Sequence, residues 1–409
     1  MELDFCPQCF QAKEGNFCSK CGFAISSYSA PGTALKPGTV IDGKYKIGLV
    51  LGIGGFGVTY TCCDIATNTR YAIKEYMPSG IAVREESGKV SVANSGDKEI
   101  YNSGLQAFID ETNTLMRLKG SPGVVEAYNL VTDNNTAYLI MEYLDSITLK
   151  SLLKQNGTLS SEFSLGILFK VANALNAIHA KGLLHRDISP ENIMISNDGN
   201  NTVTLIDFGA ARVFVGGRSR NMSRVLKPGY APPEQYSEHG HHGEWTDIYA
   251  LAATYYKLVT GKTPPDAPTR LQNDTVRRLD KDYVGVAPHI GKAIHKALSL
   301  NSRDRYRNMT QFAAALKMKP DDRIFKDEDH LTGTMPKTEP PPPPPPPQKN
   351  ENAFSRLWGR KSGSDSVNSK SSEGSGRRKS NLDMNIRRRN DLSHHEVKRP
   401  FVRIVRGAT

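Results

Sequence analysis

The sequence predicts an α+β chain in which a small β-rich lobe with one principal helix precedes a larger helical lobe, between a cysteine-rich start and a tail with no core. Three observations predict it. Residues 45–142 carry the strand-like runs KYKIGLVLG, VTYTCCDI, YAIKEYM and AYLIMEYL and one helix-like stretch, LQAFIDETNTLMRLK. Residues 147–318 instead space their apolar residues by three and four, the helical period. Composition shifts sharply at both ends, and 409 residues exceed the needs of one ordinary domain.

Five segments follow in order: a cysteine-rich unit over 1–24, a linker over 25–38 (ISSYSAPGTALKPG), the two-lobed domain over 39–319, a charged and proline-rich linker over 320–348, and a tail over 349–409. The eight prolines Pro340–Pro347 predict an extended polyproline II spacer. The tail is rich in Ser, Gly and Arg, has too few apolar residues to bury, and is expected to be disordered. Of the net charge of +11, most lies here, since fifteen Lys or Arg face six Asp or Glu from Pro341 onward. RRKS around Ser380, IRRRN and VKRPFVRIVR suit an anionic partner: nucleic acid, a membrane surface or an acidic protein. A solvated end that receives phosphate at Ser380 is the other reading.

The opening MELDFCPQCF has no basic flank and no sustained apolar run, so no signal peptide is expected. The most apolar long stretch, FSLGILFKVANALNAIHA, is interrupted by Lys170, Asn173 and Asn176 and suits a core helix rather than a membrane span. A soluble, cytoplasmic protein is expected. Its six cysteines fit a reducing compartment: Cys62 and Cys63 are neighbours on a strand, point to opposite faces and serve packing. The other four form CPQCFQAKEGNFCSKC, two CxxC turns eight residues apart. Each turn aims two thiolates at one centre, and Cys6, Cys9, Cys18 and Cys21 together make a closed tetrahedral set for a structural Zn²⁺. So short a unit needs its metal to fold, and a full ligand shell suits contact rather than catalysis.

In the middle segment LGIGGFGVTY places Gly52, Gly54 and Gly57 between two strand-like runs, where a hairpin without side chains can lie over phosphates. YAIK then ends in Lys74, HRDISPEN holds Asp187 and Asn192 five apart, and DFG contributes Asp207. EHGHHGE clusters His239, His241 and His242, which reads as a solvated loop before a metal site.

Four motifs in this order resemble the bacterial eukaryotic-like (Hanks-type) Ser/Thr protein kinases over about residues 42–318, and the wording GGFGVTY, AIKEYMP, HRDISPENIM and KPGYAPPEQY is similar to those that also carry zinc ribbons. The resemblance implies the bilobal protein-kinase fold, ATP with Mg²⁺ or Mn²⁺, and protein substrates including the chain itself. It assigns Lys74 to the α- and β-phosphates with Glu111 as its partner, Asp187 as base, and Asn192 and Asp207 as metal ligands. Ala72 would cover adenine, with Glu142 and Leu144 in a hinge formed by Met141, Glu142, Tyr143 and Leu144. Leu115, His185 and Phe208 resemble the apolar column between lobes, Asp247 an anchor for the catalytic loop, and Glu234 an acid paired with Arg305.

Four departures are mild or informative. Thr59 stands where valine is usual and Pro232 opens the APE-like motif, both small changes. Ser189 stands where the resemblance implies lysine, and Lys227 where it implies threonine. A transferring phosphoryl group needs a nearby cation, so Lys227 is expected to replace the charge that Ser189 lacks. Ser219 and Ser223, among Arg212, Arg218, Arg220 and Arg224, are expected autophosphorylation sites, with Arg186 as a partner for the phosphate. The alternative function is a nucleotide-binding pseudokinase scaffold acting through ribbon and tail.

Overall fold

The computed structural model describes residues 3–12, 15–25, 28–207, 226–237 and 240–317. Phe208, Arg212, Ser219, Ser223, His239 and Ser380 lie outside them. The smaller lobe is built on β1 (Val40–Ile41), β2 (Tyr45–Ile53), β3 (Gly57–Asp64), β4 (Arg70–Tyr76), β7 (Ala127–Asp133) and β8 (Thr136–Glu142). They form one antiparallel sheet in the order β1-β2-β3-β4-β8-β7. Val58, Tyr60, Thr61, Cys62 and Cys63 of β3 are all buried, so this strand of β-branched and aromatic residues is covered on both faces.

The inner face is covered by α1 (Lys98–Met116), which packs on β7 and β8. Its buried Tyr101, Gly104, Phe108, Thr112 and Leu115 recur every three or four residues, one stripe of a helix. It starts seven residues before the expected stretch at Leu105, because Tyr101 and Gly104 extend the stripe toward Tyr76. The unexpected length between Lys74 and Glu111 is a small hairpin, β5 (Ala82–Arg84) and β6 (Val90–Val92).

The outer face is covered in part by the segment read as a linker. Ala34 and Leu35 join the main core, and the Leu35 N–H donates to the Tyr60 hydroxyl at 3.0 Å. Beside it lies a buried charge, Glu75, which accepts from Tyr60 (2.7 Å) and Tyr138 (2.9 Å) and pairs with Arg84 at 2.5 Å. Arg84 also donates to the carbonyls of Thr33 and Gly88, both at 2.9 Å, so one guanidinium ties segment, hairpin and sheet together. A buried carboxylate is tolerated only with its hydrogen bonds filled in this way.

The larger lobe holds α2 (Leu149–Asn156), α3 (Ser161–His179), α4 (Glu244–Thr260), α5 (Ala267–Gln272), α6 (Leu279–Asp282), α7 (Pro288–Ala297) and α8 (Met309–Ala315). Thr148 and Ser160 cap α2 and α3 by accepting from Ser151 and Phe163 N–H groups, and α4 stops at Gly261 in the left-handed region at φ 69°. Helix α4 is buried along nearly its whole length, the centre on which α3 and α7 pack. Between helices lie β9 (Ser146–Thr148), β10 (Ile193–Ser196) and β11 (Val203–Leu205) in the order β11-β10-β9, which the helical reading of 147–318 missed. Strands of three or four residues are too short for periodicity to register. Among the described residues no helix is long and apolar enough to cross a membrane.

Candidate active site

The roof is the hairpin of β2 and β3. Gly54 N–H donates to the Gly57 carbonyl at 2.9 Å, closing the turn, and a Cβ at Gly57 would strike the Glu75 carbonyl oxygen of β4. Glycine is therefore required where the two strands press together. Lys74 lies in the centre of β4, opposite Thr59 of β3 and Leu139 of β8, and Ala72 is buried two residues before it on the same face. The back edge is Met141–Leu144, where the Glu142 N–H donates to the Glu126 carbonyl at 2.9 Å and the Arg70 guanidinium stacks 3.8 Å from the Tyr143 ring centre.

Lys74 reaches across the cleft to Asp207, Nζ to Oδ1 at 2.6 Å. Burial alone would lower the lysine pKa, but the charges of Asp207, then Glu111, then Asp187 raise it. Lys74 forms its ion pair within hydrogen-bond reach with Asp207, and the charge of Glu111, its expected partner, acts on it as well. For Asp207 burial pushes upward, and Lys74 with Lys227 behind it holds the carboxyl below its usual range. Its φ of 57° is left-handed, an uncommon conformation for a residue with a side chain.

The floor is the loop between α3 and β10. Asn192, buried, donates from Nδ2 to the Asp187 backbone oxygen (2.8 Å) and to its carboxylate (2.9 Å), which fixes both residues at once. Arg186 has φ 64°, and such strain persists only where its surroundings impose it. Asp247 of α4, fully buried, accepts the backbone N–H groups of His185 (2.9 Å) and Arg186 (2.7 Å), and Gln235 donates to the Arg186 carbonyl at 2.8 Å. Asp247 is in turn held by His179 at 2.8 Å. His185 is buried, its Nδ1 accepts the Asp187 N–H at 3.3 Å, and burial pushes its pKa down, which keeps the ring neutral.

Lys227 stands beside this loop. Its Nζ lies 2.9 Å from Ser189 Oγ, 3.2 Å from Asp187 Oδ2 and 3.5 Å from Glu191 Oε2. Ser189 is 1% exposed, so its short side chain leaves the space that the lysine end enters. Below, Arg305 grips Glu234 with two contacts, 2.7 and 3.1 Å, and stacks 4.9 Å from the Tyr249 ring centre. Sequence reasoning missed His179 and Gln235. Both act by lodging against other elements, and no local pattern marks that.

In the N-terminal unit the four cysteine sulfurs all lie within 4.8 Å of one another, with Cys6–Cys21 at 3.6 Å and Cys9–Cys18 at 3.4 Å. Tetrahedral Zn–S bonds of about 2.3 Å require sulfurs roughly 3.8 Å apart, so the donor set fits that ion. Each CxxC turn is closed by a backbone bond, Phe10 N–H to Cys6 O and Gly22 N–H to Cys18 O, both 2.8 Å. Phe10 and Gly22 are left-handed at φ 62° and 71°. Burial opposes ionisation of Cys18, but the N–H groups of Cys21 and Lys20 and the Cys9 thiol bring it down to about 7. His241 and His242 belong to no such metal-competent group among the described residues.

A glycine-rich roof with a lysine behind it, over a loop that presents Asp187 and Asn192, defines a two-lobed phosphoryl-transfer fold. The protein kinase domain family matches residues 45–324, more than half of the sequence, and the chain belongs to that family. It is 28% identical to Serine/threonine-protein kinase B of Synechocystis sp. over 330 residues, 77% of this chain and 52% of that protein. With Serine/threonine-protein kinase PknA of Nostoc sp. it shares 27% over 288 residues, 68% of this chain and 48% of the other. The solved apo form of PpkA-294 matches with a TM-score of 0.63 and 33% identity, covering 69% of this chain and 99% of that one. The chain spans about half the length of the curated relatives it matches.

Proposed function

We propose that the protein is a Ser/Thr protein kinase that transfers the γ-phosphoryl group of ATP to protein hydroxyls, its own included. The observation that carries this reading is the placement of Asp187, whose carboxylate is held by Asn192 at 2.9 Å and Lys227 at 3.2 Å in the cleft that Lys74 and Asp207 share. Asp187 accepts the proton of the substrate hydroxyl as its oxygen bonds to the γ-phosphorus. The bond from that phosphorus to the bridging oxygen breaks, and ADP leaves with the electron pair. Lys74 holds the α- and β-phosphates, Ala72 and the 141–144 edge hold adenine, and Gly52, Gly54 and Gly57 let backbone N–H groups approach the phosphates. Because Asn192 commits Nδ2 to Asp187, its Oδ1 remains the acceptor, and with Asp207 it offers hard oxygens to Mg²⁺ or Mn²⁺. The metal would neutralise charge on the β- and γ-phosphates.

Lys227 supplies the cation that Ser189 does not. Phosphoryl transfer measured with labelled ATP tests both assignments. Asp187→Ala abolishes transfer. Lys227→Ala lowers kcat by about 10²-fold, the usual cost of one group that stabilises developing charge. Ser189→Lys in the Lys227→Ala background restores part of the rate. Full transfer by Lys227→Ala would remove the lysine from the mechanism.

The four cysteines are proposed to hold one structural Zn²⁺, which metal analysis of the purified protein checks. Ser219, Ser223 and Ser380 are proposed autophosphorylation sites, read by intact mass of the wild type against their alanine variants.

A further inference from the structure

Strand β2 pairs with β1 only at Tyr45 and Lys46, and its ladder to β3 is broken twice, between Ile47 and Val50 and between Val50 and Gly52. Such bulges turn backbone groups out of the sheet, where they need other partners. Here those partners come from the first 28 residues and from Thr61 of β3. The Leu49 N–H donates to the Pro7 carbonyl at 3.0 Å and to Thr61 Oγ1 at 2.7 Å, and Thr61 itself donates to Pro7 O at 3.0 Å. One residue on, the Val50 N–H donates to the Tyr28 hydroxyl at 2.9 Å.

Side chains follow the same path. Leu49 packs against the small core of Cys6, Cys18, Phe23 and Ile25, so an apolar residue of the kinase sheet completes the core of the ribbon. Tyr28 stands edge-on to Phe23 at 6.0 Å, and the Lys46 ammonium lies over the Phe5 ring at 4.7 Å. Pro7 lies inside the first CxxC turn, between two of the cysteines. At Gly48 a Cβ would strike the Pro7 carbonyl and Thr61 Oγ1 and come within 2.6 Å of Phe10 Cζ. Gly48 is outside the glycine-rich turn, and its lack of a side chain serves contact with the ribbon.

We infer that the cysteine-rich unit is a positioning device for the nucleotide site: docked through Pro7 and Tyr28 on the bulged stretch Gly48–Val50, it sets the pose of the glycine-rich hairpin. The hairpin residues that meet phosphate begin at Gly52, two residues beyond Val50. The ribbon keeps its fold only while its cysteines are held together, so the metal state of the ribbon is coupled to nucleotide affinity. This coupling rests on the zinc reading above, whereas the docking itself does not.

The test uses the full chain, zinc content by elemental analysis, hydrogen exchange over residues 47–53, and equilibrium binding of a fluorescent ATP analogue without turnover. Gly48→Val is expected to keep wild-type zinc, to speed exchange at Leu49 and Val50, and to weaken nucleotide binding about threefold to tenfold, the worth of one or two backbone hydrogen bonds. Tyr28→Phe, which deletes only one hydroxyl, is expected to weaken it by up to about threefold. Stripping zinc from the wild type reproduces the Gly48→Val result, and stripping it from Gly48→Val adds no further loss.

Faster exchange with wild-type nucleotide affinity in both variants overturns the inference. Equal losses on zinc removal in the wild type and in Gly48→Val overturn the coupling through this contact. A wild type that carries no zinc overturns the zinc reading, and the docking is then decided by the two variants alone.

Discussion

The catalytic loop is held from beneath by buried charge within the matched kinase domain, whereas the glycine-rich hairpin is held from outside by backbone contacts from a segment that precedes it. Under the loop, Asp247, His179, Glu234 and Arg305 are each tied to several partners, and removal of one leaves a charge stranded in the interior. Along β2 beside the hairpin, Pro7, Thr61 and Tyr28 make neutral hydrogen bonds worth about 1 kcal/mol apiece. One set behaves as all or nothing, and the other can be graded. The floor suits an invariant geometry and the roof suits adjustment.

The largest effect should come from Asp247→Ala, which leaves His179 Nε2 and two loop N–H groups without their partner. It should lower stability by about 3–5 kcal/mol in urea melts and abolish phosphoryl transfer. Arg305→Ala should cost a similar stability by stranding Glu234, but should retain more activity per folded molecule, since its contacts stop short of Asp187. Equal loss of both quantities would merge the two halves of the floor into one unit.

A third prediction concerns pH. Burial pushes His179 down, but the hydrogen bond and charge of Asp247, then Glu244, raise it above 6.5. A raised folded pKa stabilises fully below the unfolded value near 6.5, and that contribution is lost as pH rises through the folded value. Urea midpoints from pH 5.5 to 9 should therefore fall as pH rises through that window, and His179→Gln should flatten the slope. The smallest effect belongs to the roof: Thr61→Val keeps the shape and removes one hydroxyl from the Pro7–Leu49 junction, costing about 1 kcal/mol in thermal or urea melts.

How much of this was legible in the sequence follows from the range of each interaction. Gly52, Lys74, Asp187, Asn192 and Asp207 stood out because phosphate chemistry restricts which residue types can serve. Glu234 with Arg305, and Ser189 with Lys227, were expected as pairs, and the structure sets each pair within hydrogen-bond distance. Their roles in catalysis are for the substitutions to decide. The β5–β6 hairpin, the short strands around the catalytic loop and the burial of Leu35 left no periodic trace. The direct Lys74–Asp207 ion pair was equally hidden, since it depends on how the two lobes face each other.

Residue type and local spacing by themselves marked the kinase-like motifs, the two-lobed alternation of strand and helix, and the four-cysteine cluster. Each is written in segments of fewer than twenty residues, where covalent geometry limits what the chain can do. Only the tertiary structure decided that the cysteine unit seats on β2, that Gly48 is bare to admit Pro7, and that Glu75 and Arg84 are buried beneath the segment joining the cysteine unit to the kinase domain. Those contacts join residues from nine to more than fifty positions apart, and their energy comes from burial and hydrogen bonds that exist only once the surfaces meet.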